Sequence, residues 1–216
     1  CPYKSPTDMG VNMVGNCIID DEAVKDASRQ EIIRRYYAAM CDHKKGKASD
    51  EVIRKMDLLM KKAGVLLSSR KVVAAALEKA NEIDLPAVAL ELPDGQIVTG
   101  KTSPLLGASA AVLLNALKAL AKLDDSLHLI SPLAIDPIQK LKVGYLGNRN
   151  PRLHTDEVLI ALSISAATDS AAQLAMEQLS KLRGCEVHSS VILSDVDELV
   201  FKRLGIHVTC EPQFKR

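Results

Sequence analysis

The stretch from Ala87 to Leu120 (AVALELPDGQIVTGKTSPLLGASAAVLLNALKAL) constrains this chain most strongly. A short apolar run, a Pro-Asp-Gly break and a β-branched run predict two strands, Ala87–Leu92 and Gln96–Thr99, joined by a tight turn. Gly95 is free to take the positive φ that such a turn demands. Ser103 and Pro104 then read as N-cap and first residue of a small-residue helix that continues through Ala121.

Helical periodicity dominates the chain before this stretch. Ile32, Ile33, Tyr36, Tyr37 and Met40 recur at helical spacing after Asp20-Asp21, and Gly46 ends that pattern. Ser49-Asp50-Glu51 opens a second helix that stops at Gly64, and Ser68 or Ser69 caps a third through Ala80. After the opening stretch, Leu127–Ile130 is a strand candidate and Pro132–Lys142 a helix. A broken helical region runs from Thr155 to Gly184. A strand over Glu186–Leu193, a helix capped by Ser194 and a strand over Ile206–Thr209 complete the pattern. The expected organisation is a linking loop (1–16), a helical subdomain (17–84) and a three-layer α/β/α subdomain (85–216), an α/β fold overall.

With two Phe, four Tyr and no Trp, the core must be aliphatic. Twenty-eight basic against 27 acidic residues leave a net charge of +1, so no global field argues for nucleic acid or a membrane surface. No apolar run approaches the roughly 20 residues of a spanning helix. Five dispersed cysteines without a C-x-x-C pair point to reduced thiols in a cytoplasmic protein. The start at Cys1, inside a loop-like segment, reads as a domain cut from a longer protein.

Gly95–Thr102 (GQIVTGKT) satisfies G-x-x-x-x-G-K-T, the phosphate-loop pattern. Its Ile-Val-Thr centre prefers extended geometry, which favours a hairpin. Either way Lys101, Thr102 and Ser103 are expected at a helix head, where free N–H groups attract an anion. Asn148-Arg149-Asn150-Pro151-Arg152 is a run of donors beside His154, suited to phosphate or carboxylate. Asp8 and Asn12 of the first loop are further ligand candidates. His188, near a strand end, is the expected proton-transfer group, with a structural histidine as the bland alternative. No G-x-S-x-G elbow or H-E-x-x-H helix is present.

The strand–Asp-Gly–strand–helix order resembles the start of the cytidine deaminase-like fold. That fold's helix brings zinc ligands where this chain has Gly107-Ala108-Ser109-Ala110, so no metal is expected. The strings CPYKSPTDMGVNMVG, RQEIIRRYY, LPDGQIVTGKTSPLLGAS, HTDEVLIALSISAAT and CEVHSSVILSDVDELVFKRLGIHVTCEP closely resemble a bacterial family, the domain of unknown function 1846. The resemblance implies the C-terminal half of a protein about twice this length, made of a helical and a deaminase-like subdomain. It implies an N-terminal half with its own glycine-rich stretch, suggestive of a phosphate-bearing ligand. Some members carry an ATP-dependent peptidase label, for which no protease constellation exists here.

The expected function is therefore that of a cytoplasmic enzyme's C-terminal half, binding a phosphorylated or anionic small molecule where the two halves meet. Lys101, Thr102, Ser103, Asp8, Asn12, Arg149, Arg152 and His154 are its expected contacts, and a nucleotide or phosphate its candidate ligand. Homo-oligomerisation through the helices from Glu22 to Asp84, as a non-catalytic assembly module, is one alternative. Nucleotide hydrolysis at Gly95–Thr102 is another.

Overall fold

The structure, a computed structural model, describes residues 21–214; Asp8, Asn12 and the loop 1–16 lie outside them. The chain divides into two compact units, Cys1–Arg70 and Lys71–Arg216. Among the described residues are eight α-helices and a four-stranded sheet.

In the first unit, helices α1 (Asp21–Lys44) and α2 (Asp50–Ala63) are joined by a short turn. Gly46 turns the chain at φ 73°, and the His43 ring contacts the Asp50 carboxylate at 2.7 Å across the join. Gly64 closes α2 in the left-handed conformation that glycine adopts at no steric cost. Tyr36 and Tyr37 meet edge-to-face, their centroids 6.0 Å apart, with Tyr37 buried.

The second unit contains α3 (Lys71–Ile83), β1 (Ala87–Glu91), β2 (Ile97–Lys101) and α4 (Ala108–Ala121). Helix α5 (Pro132–Lys140) runs into a π-helical turn over Leu141–Tyr145. Then come α6 (Thr155–Ser165), α7 (Ser170–Met176), β3 (Glu186–Ser189), α8 (Asp195–Arg203) and β4 (His207–Cys210). The strands lie in the order β2-β1-β3-β4. Strand β1 is antiparallel to both neighbours, with Leu90 opposite Val98 and Val187, and β3 pairs β4 in parallel.

Strand β1 is buried on both faces from Ala87 to Leu90, which explains the apolar run over those residues. Val88 and Leu90 enter the main core with Leu113, Leu117, Val187 and Phe201. Ala89, pointing the other way, packs with Val72 and Ala76 of α3. Helix α3 therefore packs with the sheet in the second unit, which begins at Lys71.

Three expectations differ from the structure. Helix α4 begins at Ala108 behind Gly107, not at Ser103. The Ser103 hydroxyl accepts instead from the Leu105 and Leu106 N–H groups, closing a local turn that holds Pro104 outside the helix. Leu127–Ile130 forms no strand, although Leu129 and Ile130 are buried; their apolar character reflects core packing alone. The strand expected over Glu186–Leu193 stops at Ser189, after which the Ser190 hydroxyl accepts from Ala87 N–H at 3.0 Å.

Gly95–Thr102 is the turn and second strand of the β1–β2 hairpin, with Gly95 at φ 84°. Its backbone is committed to β1 and cannot wrap a phosphate, so the stretch is not a phosphate loop. Among the described residues, no helix is long and apolar enough to cross a membrane.

Candidate functional site

Of the residues singled out in the sequence, the structure gathers Arg149 and His154 in one cleft of about 400 Å³. Lys142, Asn148, Asn150, Asp156, Glu157 and Val196 complete its lining. The π-helical turn supplies Lys142, the following loop supplies Asn148 to Asn150, and the head of α6 supplies the acids. A π-helical segment widens the helix by one residue per turn and recurs at functional sites. Here it brings Lys142 against Glu157.

His154 is the N-cap of α6 and is fixed from two sides. Its backbone N–H donates to Glu157 Oε2 at 2.8 Å, and Lys142 Nζ donates to that same oxygen at 2.7 Å. Lys142, buried, also donates to the Arg152 carbonyl at 2.7 Å. On the other side the ring's Nδ1 meets Asp197 Oδ2 at 3.1 Å. Asp197 is itself buried in the first turn of α8. Its Oδ1 accepts from the Thr155 N–H and hydroxyl, both at 3.0 Å, and its Oδ2 from the Ser194 hydroxyl at 2.8 Å.

This network moves both titrations. The hydrogen bond to Asp197 raises the His154 ring above its ordinary value, against the opposing effect of burial. Burial alone would raise Asp197, but the bonds from His154, the Thr155 N–H and Ser194 outweigh it and hold the carboxyl low. With Nδ1 engaged, Nε2 is the ring nitrogen left without a partner among the described residues, and the ring is 30% exposed. Arg149, exposed, makes no ion pair among the described residues.

The other sequence candidates lie elsewhere. Arg152 turns away from the cleft and donates through Nε to the Ser103 carbonyl at 2.7 Å. It thus meets Ser103, but in a bond that ties two loops. Thr102 is buried with its hydroxyl on the Pro86 carbonyl at 3.2 Å, and Lys101 is exposed at the end of β2. Helix α4 starts well beyond all three, so they do not form a helix-head site. His188 is fully buried, with Nδ1 2.8 Å from Thr209 Oγ1 and Nε2 3.2 Å from Glu211 Oε1. Both ring nitrogens are engaged, by β4 and by the residue that follows it, and the cleft does not include His188.

Lys142, Glu157 and Asp197 were missed as site residues. Asp197 has one sequence signal, its position three residues after the cap Ser194, which reads equally as ordinary helix capping. Cys185 is no nucleophile: burial, reinforced by Glu186, pushes its thiol up to about 11. Among the described residues, no group of three or more His, Cys, Asp or Glu side chains could hold a metal ion.

Fold and cleft together define an α/β domain with a carboxylate-oriented histidine at the head of a helix. The chain belongs to the family described as domain of unknown function DUF1846: residues 1–64 match its N-terminal model and residues 68–216 its C-terminal model. It is 57% identical over 215 residues to a UPF0371 protein of Corynebacterium urealyticum and 55% to one of Corynebacterium glutamicum. A UPF0371 protein of Streptococcus pyogenes is 52% identical over 214 residues. These alignments cover 99–100% of this chain but 43% of each relative, so the chain spans less than half the length of the curated relatives it matches.

Proposed function

We propose that this chain binds a phosphorylated or otherwise anionic small molecule in the cleft at the head of α6, as part of a cytoplasmic enzyme. The observation that carries the reading is that Arg149, which makes no ion pair among the described residues, and His154, whose Nδ1 is held by Asp197, line the same cleft. Lys142 neutralises Glu157, so Arg149 and the His154 ring share the cleft with one further carboxylate, Asp156, whose Oδ1 accepts from the Glu157 N–H. The hairpin β1–β2 followed by α4 favours a deaminase-like fold for the second unit; the Gly107–Ala110 segment offers no zinc ligand there.

Isothermal titration against inorganic phosphate, sugar phosphates and nucleotides tests this. Binding that weakens at least tenfold in Arg149→Ala supports it. No heat at millimolar ligand counts against it.

A second reading, assembly with another copy of the chain, is favoured by a different observation. Leu133, Leu141 and Tyr145, spaced eight and four residues apart along α5 and its π-helical turn, are 85%, 50% and 84% exposed. Light scattering on Leu133→Asp/Tyr145→Asp decides it: a dimer that survives the double substitution excludes this ridge. Tyr37 is a poor probe of assembly, since its burial ties it to the fold.

A further inference from the structure

We propose that His154 meets the anion as an imidazolium through Nε2–H, so that ligand binding and protonation of His154 are one coupled event. The same proton is then placed for transfer to the substrate, and Asp197 is the positioning residue that keeps it there. This rests on the anion-cleft reading for the ligand class, and on the geometry around His154 for the proton.

Asp197 cannot turn. Thr155 N–H, Thr155 Oγ1 and Ser194 Oγ hold its two oxygens, and the remaining interaction goes to His154 Nδ1. A carboxylate fixed on Nδ1 makes that nitrogen a donor in both charge states, so only Nε2 gains or loses a proton. The main chain of the same residue is held by Glu157, which Lys142 holds in turn. Asp197 thus fixes the ring, while the bond from the His154 N–H to Glu157 is half of the capping box that fixes its backbone.

Ser194 is not the nucleophile of a Ser-His-Asp array. Its hydroxyl lies 3.4 Å from Nδ1, the nitrogen Asp197 already uses, and it donates to Asp197. The constellation is therefore an acid–base pair without a nucleophile. The charged groups around the ring are Asp197 from α8, Asp156 and Glu157 from α6, Lys142 from the π-helical turn and Arg149 from the loop. The upward displacement of the His154 titration agrees with this arrangement. The step itself is a proton transfer: Nε2–H gives its proton to a substrate oxygen or carbon, and the neutral ring recovers one from product or water.

Sulfate is the probe, because it keeps both charges from pH 5.5 to 8.5. Its affinity in the native protein should fall by about tenfold for each pH unit above the His154 midpoint. His154→Gln should bind weakly and without pH dependence. Arg149→Ala should weaken binding at every pH while leaving the slope intact. Asp197→Asn should move the His154 ring midpoint and the midpoint of sulfate binding to lower pH together; a ring midpoint that moves while the pH dependence of binding stays put would mark the contact as merely structural. If that variant does not fold, the native protein still decides: saturating sulfate must raise the His154 midpoint seen by ring NMR. Binding that ignores pH, or a midpoint that ignores sulfate, overturns the coupling alone. No sulfate binding at any pH overturns the anion cleft and the coupling with it.

Discussion

Gly100 of β2 lies directly against Val112 of α4: a methyl group on its Cα would stand 2.2 Å from the Val112 backbone nitrogen and 2.6 Å from the Ala108 carbonyl oxygen. The glycine of the G-K-T motif is thus required by helix–strand contact and not by a phosphate. Asn115 reinforces the contact by donating to the Thr99 carbonyl at 2.8 Å. Gly100→Ala should cost about 3 kcal/mol or more, since a backbone obstacle cannot rotate away. Urea denaturation measures it, and a loss below about 1 kcal/mol would contradict the packing. Lys101→Ala, one residue on and exposed, should stay within about 0.5 kcal/mol of the native protein.

The Lys142–Glu157 pair is the second test. The Lys142 side chain is 4% exposed and Glu157 25%, at 2.7 Å. Lys142→Met leaves Glu157 without its cation and the Arg152 carbonyl without its donor. A destabilisation of about 2–3 kcal/mol is expected, at the lower end for a buried pair because water reaches Glu157. Adding Glu157→Gln should cost less than it does alone, giving a coupling of about 1 kcal/mol in a double-mutant cycle.

Stability should also depend on pH through His154 and Asp197. The hydrogen bond to Asp197 raises His154 above the ordinary 6.5, burial opposing, so its contribution is complete below 6.5 and fades as pH rises through the folded value. Asp197, which burial would raise, is held by its hydrogen bonds below the ordinary 3.8. Its contribution is complete above 3.8 and fades as pH falls through the folded value. Between 3.8 and 6.5 both contribute in full. The difference in unfolding free energy between native protein and Asp197→Asn should therefore peak in that window. Urea midpoints from about pH 4.5 to 9 measure it, and a difference independent of pH would sink the assignment.

Much of the second unit is legible in the sequence. The hairpin at Pro93-Asp94-Gly95, the helix capped by Ser194 and the break near Asp169 all follow from local turn and capping chemistry, which acts over three or four residues. Local reasoning failed at Ser103-Pro104, where two capping residues in sequence serve a turn instead. It failed again at Leu127–Ile130, since a short apolar run marks burial without specifying backbone form.

The cleft was half legible. Arg149 and His154 stand out as donors near one another in sequence, and the structure places them together. Asp197 lies 43 residues from His154 and Lys142 lies 15 from Glu157, separations at which sequence carries no pairing signal. Sequence by itself determined most of the elements and their order, because periodicity, caps and turns are properties of neighbouring residues. Only the tertiary structure decided that His188 is sealed in the sheet while His154 faces a cleft, since burial and the choice of ring nitrogen depend on groups brought together by folding.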